Sequence, residues 1–263
     1  MDAVTLNNVT LHYRTDGPED GPALVFSNSL GTDFRIWDPI LPLLPDGLRI
    51  LRYDKRGHGL SDLPAGDWGM AEHVADAAGL IDHLGLKDVV FCGLSVGGMI
   101  AQGIAAERPD LIKAIILCDT GAKLGTPDMW QERIDTTLGA GIATMADAVM
   151  ERWFTPGFRA SHAAFPAYRN MLVRTTAGGY AGTCGAIRDT DLIESTSRLR
   201  LPCLAVCGDQ DGATPPDLVR ETAALIPGSR FELIRGAGHI PPVEQPEHLA
   251  GLINGFLREI GHV

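Results

Sequence analysis

The sequence predicts an α/β fold in which helices flank a mostly parallel central sheet and a helical segment is inserted over it. Short apolar runs alternate with helical patterns through the first 120 residues and again after residue 200, a pattern typical of a parallel sheet. Between residues 121 and 199 this alternation stops, and stretches with helical spacing replace it. With 263 residues, 45% of them hydrophobic, the chain can bury the core of one such domain.

The predicted elements follow one another as this fold requires. The chain opens with a hairpin that turns at Asn7 and Asn8. An amphipathic helix is predicted over residues 71–84, and Gly85 ends it. Strands are predicted at residues 23–27, 48–53, 89–92, 112–118, 203–207 and 230–234, and middle helices at 129–138, 142–153 and 163–172. We therefore expect residues 1–120 and 200–263 to form the core, and residues 121–199 a helical cap that folds with it as one unit.

The residues from Gly93 to Gly97 read Gly-Leu-Ser-Val-Gly and lie between a predicted strand and a predicted helix. In this context Gly-x-Ser-x-Gly is typical of a sharp turn that presents a serine nucleophile. The flanking glycines remove Cβ atoms that would clash, and the first amides of the helix point toward charge that develops at the serine. A glycine-rich turn whose serine only caps the helix is the alternative, but the strand and helix around it favour Ser95 as the nucleophile.

A serine nucleophile needs a histidine base, which in this arrangement comes last in the chain, after the acid. Three histidines lie far beyond Ser95. His262 is next to the last residue, where fraying is expected, and His248 begins a predicted helix, where we expect it to be solvated. His239 lies in a loop after the strand at 230–234, and such loops commonly carry catalytic groups. We therefore predict that His239 is the base.

The acid is expected after the strand at residues 203–207. Asp209 and Asp211 both lie there, and Asp211 is favoured because a Gly-x-x-Asp turn lets the second aspartate fold back toward the histidine loop. Asp209 has a simpler role as a turn-forming residue. Asp119 ends the strand at 112–118 and is a third candidate if the acid comes from an earlier strand.

Two backbone amides are expected to bind the oxyanion that forms during attack. One belongs to Val96, the residue after the nucleophile. The other is predicted at Leu30, in the loop that follows the strand at 23–27. Asn28, at the start of that loop, is a candidate substrate contact, with a plain polar turn residue as the alternative.

The turn at residues 54–61 reads Asp-Lys-Arg-Gly-His-Gly-Leu-Ser. Together with the Ser95 turn and the predicted acid and base, it resembles the α/β-hydrolase family, and the resemblance extends over nearly the whole chain. Within that family, residues 27–33, 153–156 and 177–192 are similar to those of 3-oxoadipate enol-lactonases. Asn-Ser-Leu-Gly at residues 28–31, where many family members have His-Gly, points the same way, and Val96 is a conservative departure from leucine. The resemblance implies a serine hydrolase that opens 3-oxoadipate enol-lactone through an acyl-enzyme in aromatic catabolism, without a metal or organic cofactor.

The predicted triad by itself indicates only acyl transfer. A carboxylesterase, a carbon–carbon bond hydrolase or a perhydrolase on the same fold therefore remains an alternative, and pocket polarity would distinguish them. A receptor-like protein that retains the triad is a further alternative. A burst of product without steady turnover would indicate that class.

The implied lactone carries a carboxylate, whereas the chain has a formal net charge of −11, so a local cation is needed to bind it. Arginine suits a carboxylate because its planar fork donates two parallel hydrogen bonds. Among the cap arginines we favour Arg188, in the segment most similar to enol-lactonases, with Arg133 next. Trp153 is expected to form an apolar wall of the pocket. The alternatives are an ion pair of Arg188 with Asp189 or Asp191, and burial of Trp153 in the cap core.

Composition excludes several other classes. A net charge of −11 without a basic patch argues against nucleic-acid binding. No apolar run approaches the ~20 residues of a membrane span, and the first residues form neither a basic region nor an apolar signal core. Most of the five cysteines fall in predicted buried strands without zinc-site spacing, which favours reduced thiols. We expect a cytoplasmic protein whose partner is a small anionic lactone, and neither a nucleic acid nor a membrane.

Overall fold

Eight strands form one sheet in the order β1-β2-β4-β3-β5-β6-β7-β8. The computed structural model describes residues 1–263. β1 and β2 form the opening hairpin, β2 is antiparallel to β4, and every remaining pair is parallel, which confirms the predicted fold class. The strands are β1 (Asp2–Leu6), β2 (Val9–Asp16), β3 (Ala23–Ser27), β4 (Arg49–Tyr53), β5 (Val89–Leu94), β6 (Ile112–Cys118), β7 (Cys203–Gly208) and β8 (Arg230–Ile234).

Helices cover the sheet and fill the region between β6 and β7. Two further segments, Phe34–Leu43 and Ile142–Thr144, are 3₁₀ helices. No helix combines the length and the apolarity needed to cross a membrane. The α-helices are α1 (Met70–His83), α2 (Val96–Glu107), α3 (Pro127–Ala140), α4 (Ala146–Trp153), α5 (Pro156–Ser161), α6 (Phe165–Val173), α7 (Ala177–Arg188), α8 (Ile193–Ser197), α9 (Pro216–Ala224), α10 (Pro241–Glu244) and α11 (Pro246–Glu259).

The central strands are buried along their whole length. Every residue of β3, β5 and β7 is buried, because helices lie on both faces of a parallel sheet. Their side chains join one apolar core of 67 buried residues. The carboxyl ends of β3, β5, β6 and β7 meet at one edge of this sheet, so the loops that follow them are brought together there.

The strand alternation stops after β6, and helices α3 to α8 follow before β7. The helix predicted over 142–153 is interrupted: a 3₁₀ turn ends at Thr144 and α4 begins at Ala146, after Gly141 adopts a φ of +86°. The sequence pattern missed α7, which is rich in glycine. Gly179 allows close packing in that helix, because a Cβ there would lie 1.9 Å from the carbonyl oxygen of Gly57.

Candidate active site

Ser95 occupies a strained turn between β5 and α2. Its φ of +58° and ψ of −119° lie outside the regions that ordinary residues favour. Two hydrogen bonds hold the turn: the Ser95 amide donates to the Cys118 carbonyl at 2.9 Å, and Thr120 Oγ1 donates to the Ser95 carbonyl at 2.6 Å. Glycine is required on both sides, because a Cβ at Gly93 would lie 2.1 Å from the Gly97 carbonyl oxygen, and one at Gly97 would lie 2.2 Å from that of Ser27.

His239 and Asp211 lie side by side at the ends of β8 and β7. Nδ1 of His239 is 2.9 Å from Oδ2 of Asp211, and both side chains are buried. The other oxygen of Asp211 accepts the amides of Ala213 at 2.7 Å and Thr214 at 3.0 Å. Because Nδ1 donates to a carboxylate, Nε2 keeps its lone pair and can accept a proton. Burial opposes the ionisation of Asp211, but His239 and the hydrogen bonds from His239 and Thr214 outweigh it and lower its pKa.

The surroundings of Nε2 include a serine that the motifs had not singled out. Ser29 Oγ lies 3.5 Å from His239 Nε2. The hydroxyl of Ser95 makes no hydrogen bond within the protein. The Asn-Ser pair in place of His-Gly was the only sequence signal for Ser29.

A second carboxyl group lies beside the Asp211–His239 pair. Asp119 follows β6, has a φ of +46° and is fully buried. One oxygen accepts the Gly208 amide at 2.8 Å, and the other has no hydrogen-bond partner. Ligand atoms of Asp119, Asp211 and His239 lie within 4.8 Å of one another, a set that could in principle hold a metal ion, although His239 and Asp211 already bond each other. Burial and the negative charge of Asp211 raise the pKa of Asp119 well above its usual range, which is opposite to the direction for Asp211.

The other candidates for base and acid lie away from this cluster. Asp209 is exposed and accepts the Gly236 amide at 2.8 Å, in line with its turn-forming role. His248 is exposed on α11. The expectation that His262 frays is wrong, because that side chain is buried and its Nε2 lies 3.0 Å from the Ala23 carbonyl oxygen.

Two amides are placed to bind an oxyanion. Val96 is the first residue of α2, so its N–H has no acceptor within the helix. The N–H of Leu30, in the loop after β3, donates no hydrogen bond within the protein. Asn28 does not fit the expected substrate contact: it has no exposed surface, and its Nδ2 donates to the Thr32 carbonyl and, at 3.3 Å, to Thr32 Oγ1. We therefore revise Asn28 to a residue that braces this loop.

Two residues of the turn after β4, Lys55 and His58, hydrogen-bond to the loop that follows β3. Lys55 Nζ donates to the carbonyl oxygens of Asn28 at 3.0 Å and Ser29 at 2.9 Å. The Gly31 amide donates to His58 Nε2 at 3.0 Å, so Nδ1 of His58 carries the proton and faces the Arg56 carbonyl at 3.2 Å. The sequence pattern around these residues gave a family resemblance but no role for either side chain.

The cap is bonded to the loops that carry the acid and the base. The His239 amide donates to the Trp153 carbonyl at 2.8 Å, and the Gly212 amide donates to the Arg152 carbonyl at 3.1 Å. The Trp153 ring is buried and lies roughly parallel to the His239 imidazole, with 6.3 Å between ring centroids. Trp153 is thus both part of the apolar core and a neighbour of the histidine.

Arg188 is not free to hold a substrate carboxylate. Its Nε and Nη2 form a bidentate pair with Asp189 at 2.7 and 2.6 Å, and its Nη1 donates to Gln131. All three contacts lie on exposed parts of the molecule. The expectation for Arg188 is therefore revised, and the ion pair with Asp189 describes it.

Arg133 and Arg152 are the cap arginines that fit an anion site. Neither forms an ion pair; Arg133 lies over the Trp130 ring at 5.4 Å, and Arg152 Nε donates to the Gly212 carbonyl at 2.9 Å. Burial and then the positive charge of Arg133 lower the pKa of Arg152. The positive charges of both arginines act on the side chain of Tyr180, and its buried hydroxyl has no hydrogen-bond partner.

The remaining cap arginines lie elsewhere. Arg159 and Arg169 contact Glu151 and Asp147 at 3.7 and 2.7 Å. Arg174 is exposed and lines a cleft of about 670 Å³ between α6 and the 3₁₀ segment at 34–43. None of the residues that line this cleft belongs to the Ser95, His239 and Asp211 cluster.

Comparisons with known proteins agree with this geometry. A family model described as the alpha/beta hydrolase fold matches residues 22–246. The chain is 35% identical over 247 residues to 3-oxoadipate enol-lactonase 2 of Acinetobacter baylyi, covering 94% of this chain and 92% of that protein. An enol-lactonase from Burkholderia xenovorans LB400 superposes with a TM-score of 0.94 at 36% identity, covering 98% of this chain and 100% of the other. A thermophilic esterase from Thermogutta terrifontis, solved with malate bound, has a TM-score of 0.92 at 28% identity and covers 100% and 99%.

Proposed function

Because this chain belongs to the α/β-hydrolase family and is a hydrolase, we propose that it opens the ring of 3-oxoadipate enol-lactone to give 3-oxoadipate. Ser95 is the nucleophile, His239 the general base and Asp211 the residue that orients the imidazole. The identities of 32–36% with enol-lactonases over most of the chain support this substrate. A role in aromatic catabolism and a cytoplasmic location are part of the proposal, and the five buried free thiols support the location.

The mechanism proceeds through an acyl-enzyme. His239 Nε2 takes the proton of Ser95, and Oγ attacks the lactone carbonyl carbon. The amides of Leu30 and Val96 stabilise the oxyanion, since both N–H groups are without an acceptor in the protein. Collapse breaks the ring C–O bond and expels an enolate, which takes up the proton held by His239 and gives the ketone. An enolate leaves more easily than an ordinary alkoxide, so this step needs little acid assistance.

Deacylation repeats the same chemistry with water. His239 removes a proton from water, the hydroxide attacks the acyl carbon, and Ser95 leaves with the proton returned by His239. Asp211 stays ionised and stabilises the imidazolium in both halves of the reaction. No step in this mechanism uses a metal or organic cofactor.

The arginine pair is the observation that carries the assignment of an anionic substrate. Arg133 and Arg152 have no carboxylate partner in the protein, although 33 acidic residues are present in the chain. Arg152 exchanges two hydrogen bonds with Gly212, the residue after Asp211, which supports a position of its guanidinium close to the catalytic cluster. A buried tyrosine hydroxyl without a partner lies in the same region. Two guanidinium groups without an ion pair, together with a free hydroxyl donor, suit a carboxylate attached to the reacting ring.

Freshly generated 3-oxoadipate enol-lactone tests the proposal directly. Loss of its ultraviolet absorbance should be rapid with the purified protein and absent with Ser95→Ala, which keeps the fold but lacks the nucleophile. A neutral aryl ester, measured alongside, should be a much poorer substrate. Hydrolysis of the aryl ester without any acceleration of lactone opening would refute the lactone assignment while leaving the serine hydrolase assignment intact.

A carboxylesterase is the second candidate, and the superposition on the Thermogutta terrifontis esterase favours it over a carbon–carbon bond hydrolase or a perhydrolase. The same anion site would then select esters that carry a carboxylate. Comparison of a hemisuccinate ester with a neutral ester of the same alcohol separates this candidate from the lactonase. A preference for the hemisuccinate over the enol-lactone in kcat/KM would favour the esterase.

A further inference from the structure

A buried lysine contacts the carbonyl side of the peptide whose amide is aimed at the oxyanion. Lys55 Nζ lies 2.9 Å from the Ser29 carbonyl oxygen, and the peptide that contains this carbonyl also contains the N–H of Leu30. In a trans peptide the C=O and N–H groups point in opposite directions. A donor that fixes the carbonyl on one side therefore fixes the direction of the Leu30 N–H on the other.

The position of this peptide relative to the catalytic cluster is defined by Ser29 itself. Its hydroxyl lies 3.5 Å from His239 Nε2, the atom that exchanges protons with the nucleophile. The Leu30 amide donates to no group in the protein. The carbonyl of the same peptide, by contrast, also accepts the Thr32 hydroxyl at 2.9 Å and the Thr32 amide at 3.3 Å. One face of the peptide is thus saturated with donors while the opposite face presents a free N–H.

Lys55 has no other task in the structure. It is 1% exposed, forms no ion pair, and donates only to the carbonyls of Asn28 and Ser29. Burial lowers its pKa to about 7, against the opposing charges of Asp54 and Asp33, so its burial is energetically costly. A methionine would fill the same volume without that cost. An amine buried at this cost therefore indicates a role that needs a hydrogen-bond donor.

We propose that Lys55 is a positioning residue for the oxyanion hole, which acts by holding and polarising the Ser29–Leu30 peptide so that its N–H meets the developing negative charge. The proposal rests on the serine hydrolase part of the proposed function and is independent of which ester or lactone is cleaved. The hydrogen bond that Lys55 donates polarises this carbonyl, which makes the N–H of the same peptide a stronger donor. The effect is therefore expected in the transition state and not in substrate binding.

Lys55→Met is the main test, measured on the lactone and on a neutral aryl ester so that failure of either substrate leaves the other assay. We expect kcat to fall about 10–100-fold, since loss of a whole oxyanion donor costs about 10²–10³-fold. KM should stay within threefold and the melting temperature should be unchanged or higher. The inhibition constant of an alkylboronic acid, whose tetrahedral adduct places an oxygen in the hole, should rise by a factor similar to the fall in kcat.

Two further variants keep the test decisive. Lys87→Met, at an exposed lysine, controls for removal of a charge and should leave both assays unchanged. Thr32→Val removes a neutral donor to the same Ser29 carbonyl and should lower kcat several-fold without a change in KM. A Lys55→Met enzyme with kcat within threefold of the original overturns the proposal, as does a parallel change in KM and kcat without any effect on the boronic acid. If Lys55→Met fails to fold, an unaltered kcat in Thr32→Val overturns it.

Discussion

Replacing each of the two buried aspartates by asparagine tests which of them is the acid that orients His239. Oδ2 of Asp211 accepts bonds from His239 Nδ1 at 2.9 Å and Thr214 Oγ1 at 2.6 Å, and Oδ1 accepts two backbone amides. Whichever way the asparagine side chain is turned, its NH₂ group, itself a donor, faces the hydrogen-bond donors that surround one of the two carboxylate oxygens. In Asp211→Asn the imidazole therefore loses the partner that keeps its proton on Nδ1.

Asp119 presents the opposite case. One of its oxygens accepts the Gly208 amide and the other has no partner, and burial raises its pKa well above its usual range. In Asp119→Asn the amide oxygen can keep the bond to Gly208, and the amide nitrogen can occupy the place of the oxygen that has no partner. We expect kcat/KM to change less than threefold.

The expected loss in Asp211→Asn follows from serine proteases, in which the equivalent change costs about 10⁴-fold in turnover. That factor corresponds to about 5 kcal/mol of transition-state stabilisation, at about 1.4 kcal/mol per tenfold. Initial rates of lactone opening at pH 7, followed by ultraviolet absorbance, measure both variants against Ser95→Ala as background. A 100-fold or greater loss in Asp119→Asn together with a mild effect of Asp211→Asn would show that the acid lies after β6, and our assignment would be refuted.

Three further predictions concern the anion site, the buried lysine and the nucleophile turn. Arg133→Met should raise KM for the anionic lactone about tenfold or more, because a charge-assisted hydrogen bond is worth about 1.5–3 kcal/mol, whereas KM for a neutral aryl ester should not change. Arg188→Met is the matched control, and an equal rise in KM for the lactone in both variants would contradict the assignment of Arg133 to the anion site. Because the pKa of Lys55 is lowered to about 7 in the folded state, the unfolded chain binds more protons between about pH 7 and 10, and this residue makes the free energy of unfolding rise by up to about 1.4 kcal/mol per pH unit. Urea unfolding at pH 7, 8 and 9 should show this rise in the original protein relative to Lys55→Met, and the same pH dependence in both proteins would count against it. Gly97→Ala places a Cβ 2.2 Å from the Ser27 carbonyl oxygen, so the midpoint of thermal unfolding should report a loss of about 1–3 kcal/mol; an unchanged midpoint would mean that the turn is more adaptable than this contact implies.

Local patterns in the sequence were sufficient for the scaffold and for the residues at its strand ends. Apolar runs located β3 and β6 within a residue or two, because burial on both faces makes a parallel strand almost continuously hydrophobic. The glycines around Ser95 predicted a strained turn, since only small neighbours fit it. The loops that carry Asp211 and His239 were predicted from chain order and from the strands that precede them, and these two side chains do lie within hydrogen-bond distance.

The tertiary structure decided which groups from distant parts of the chain meet. No pattern in one sequence shows that Lys55 reaches the carbonyl of Ser29, because that contact depends on β4 lying beside β3 in the sheet. Asp119 lies next to Asp211 because β6 pairs with β7, and this burial beside a second carboxyl raises the pKa of Asp119. Among the cap arginines the sequence favoured Arg188, but in the folded chain it bonds the adjacent Asp189 and Gln131 of α3, whereas Arg133 has no ion-pair partner. Periodicity and turn chemistry act over a few residues, whereas ion pairing, desolvation and the direction of a peptide depend on neighbours that only the folded chain supplies.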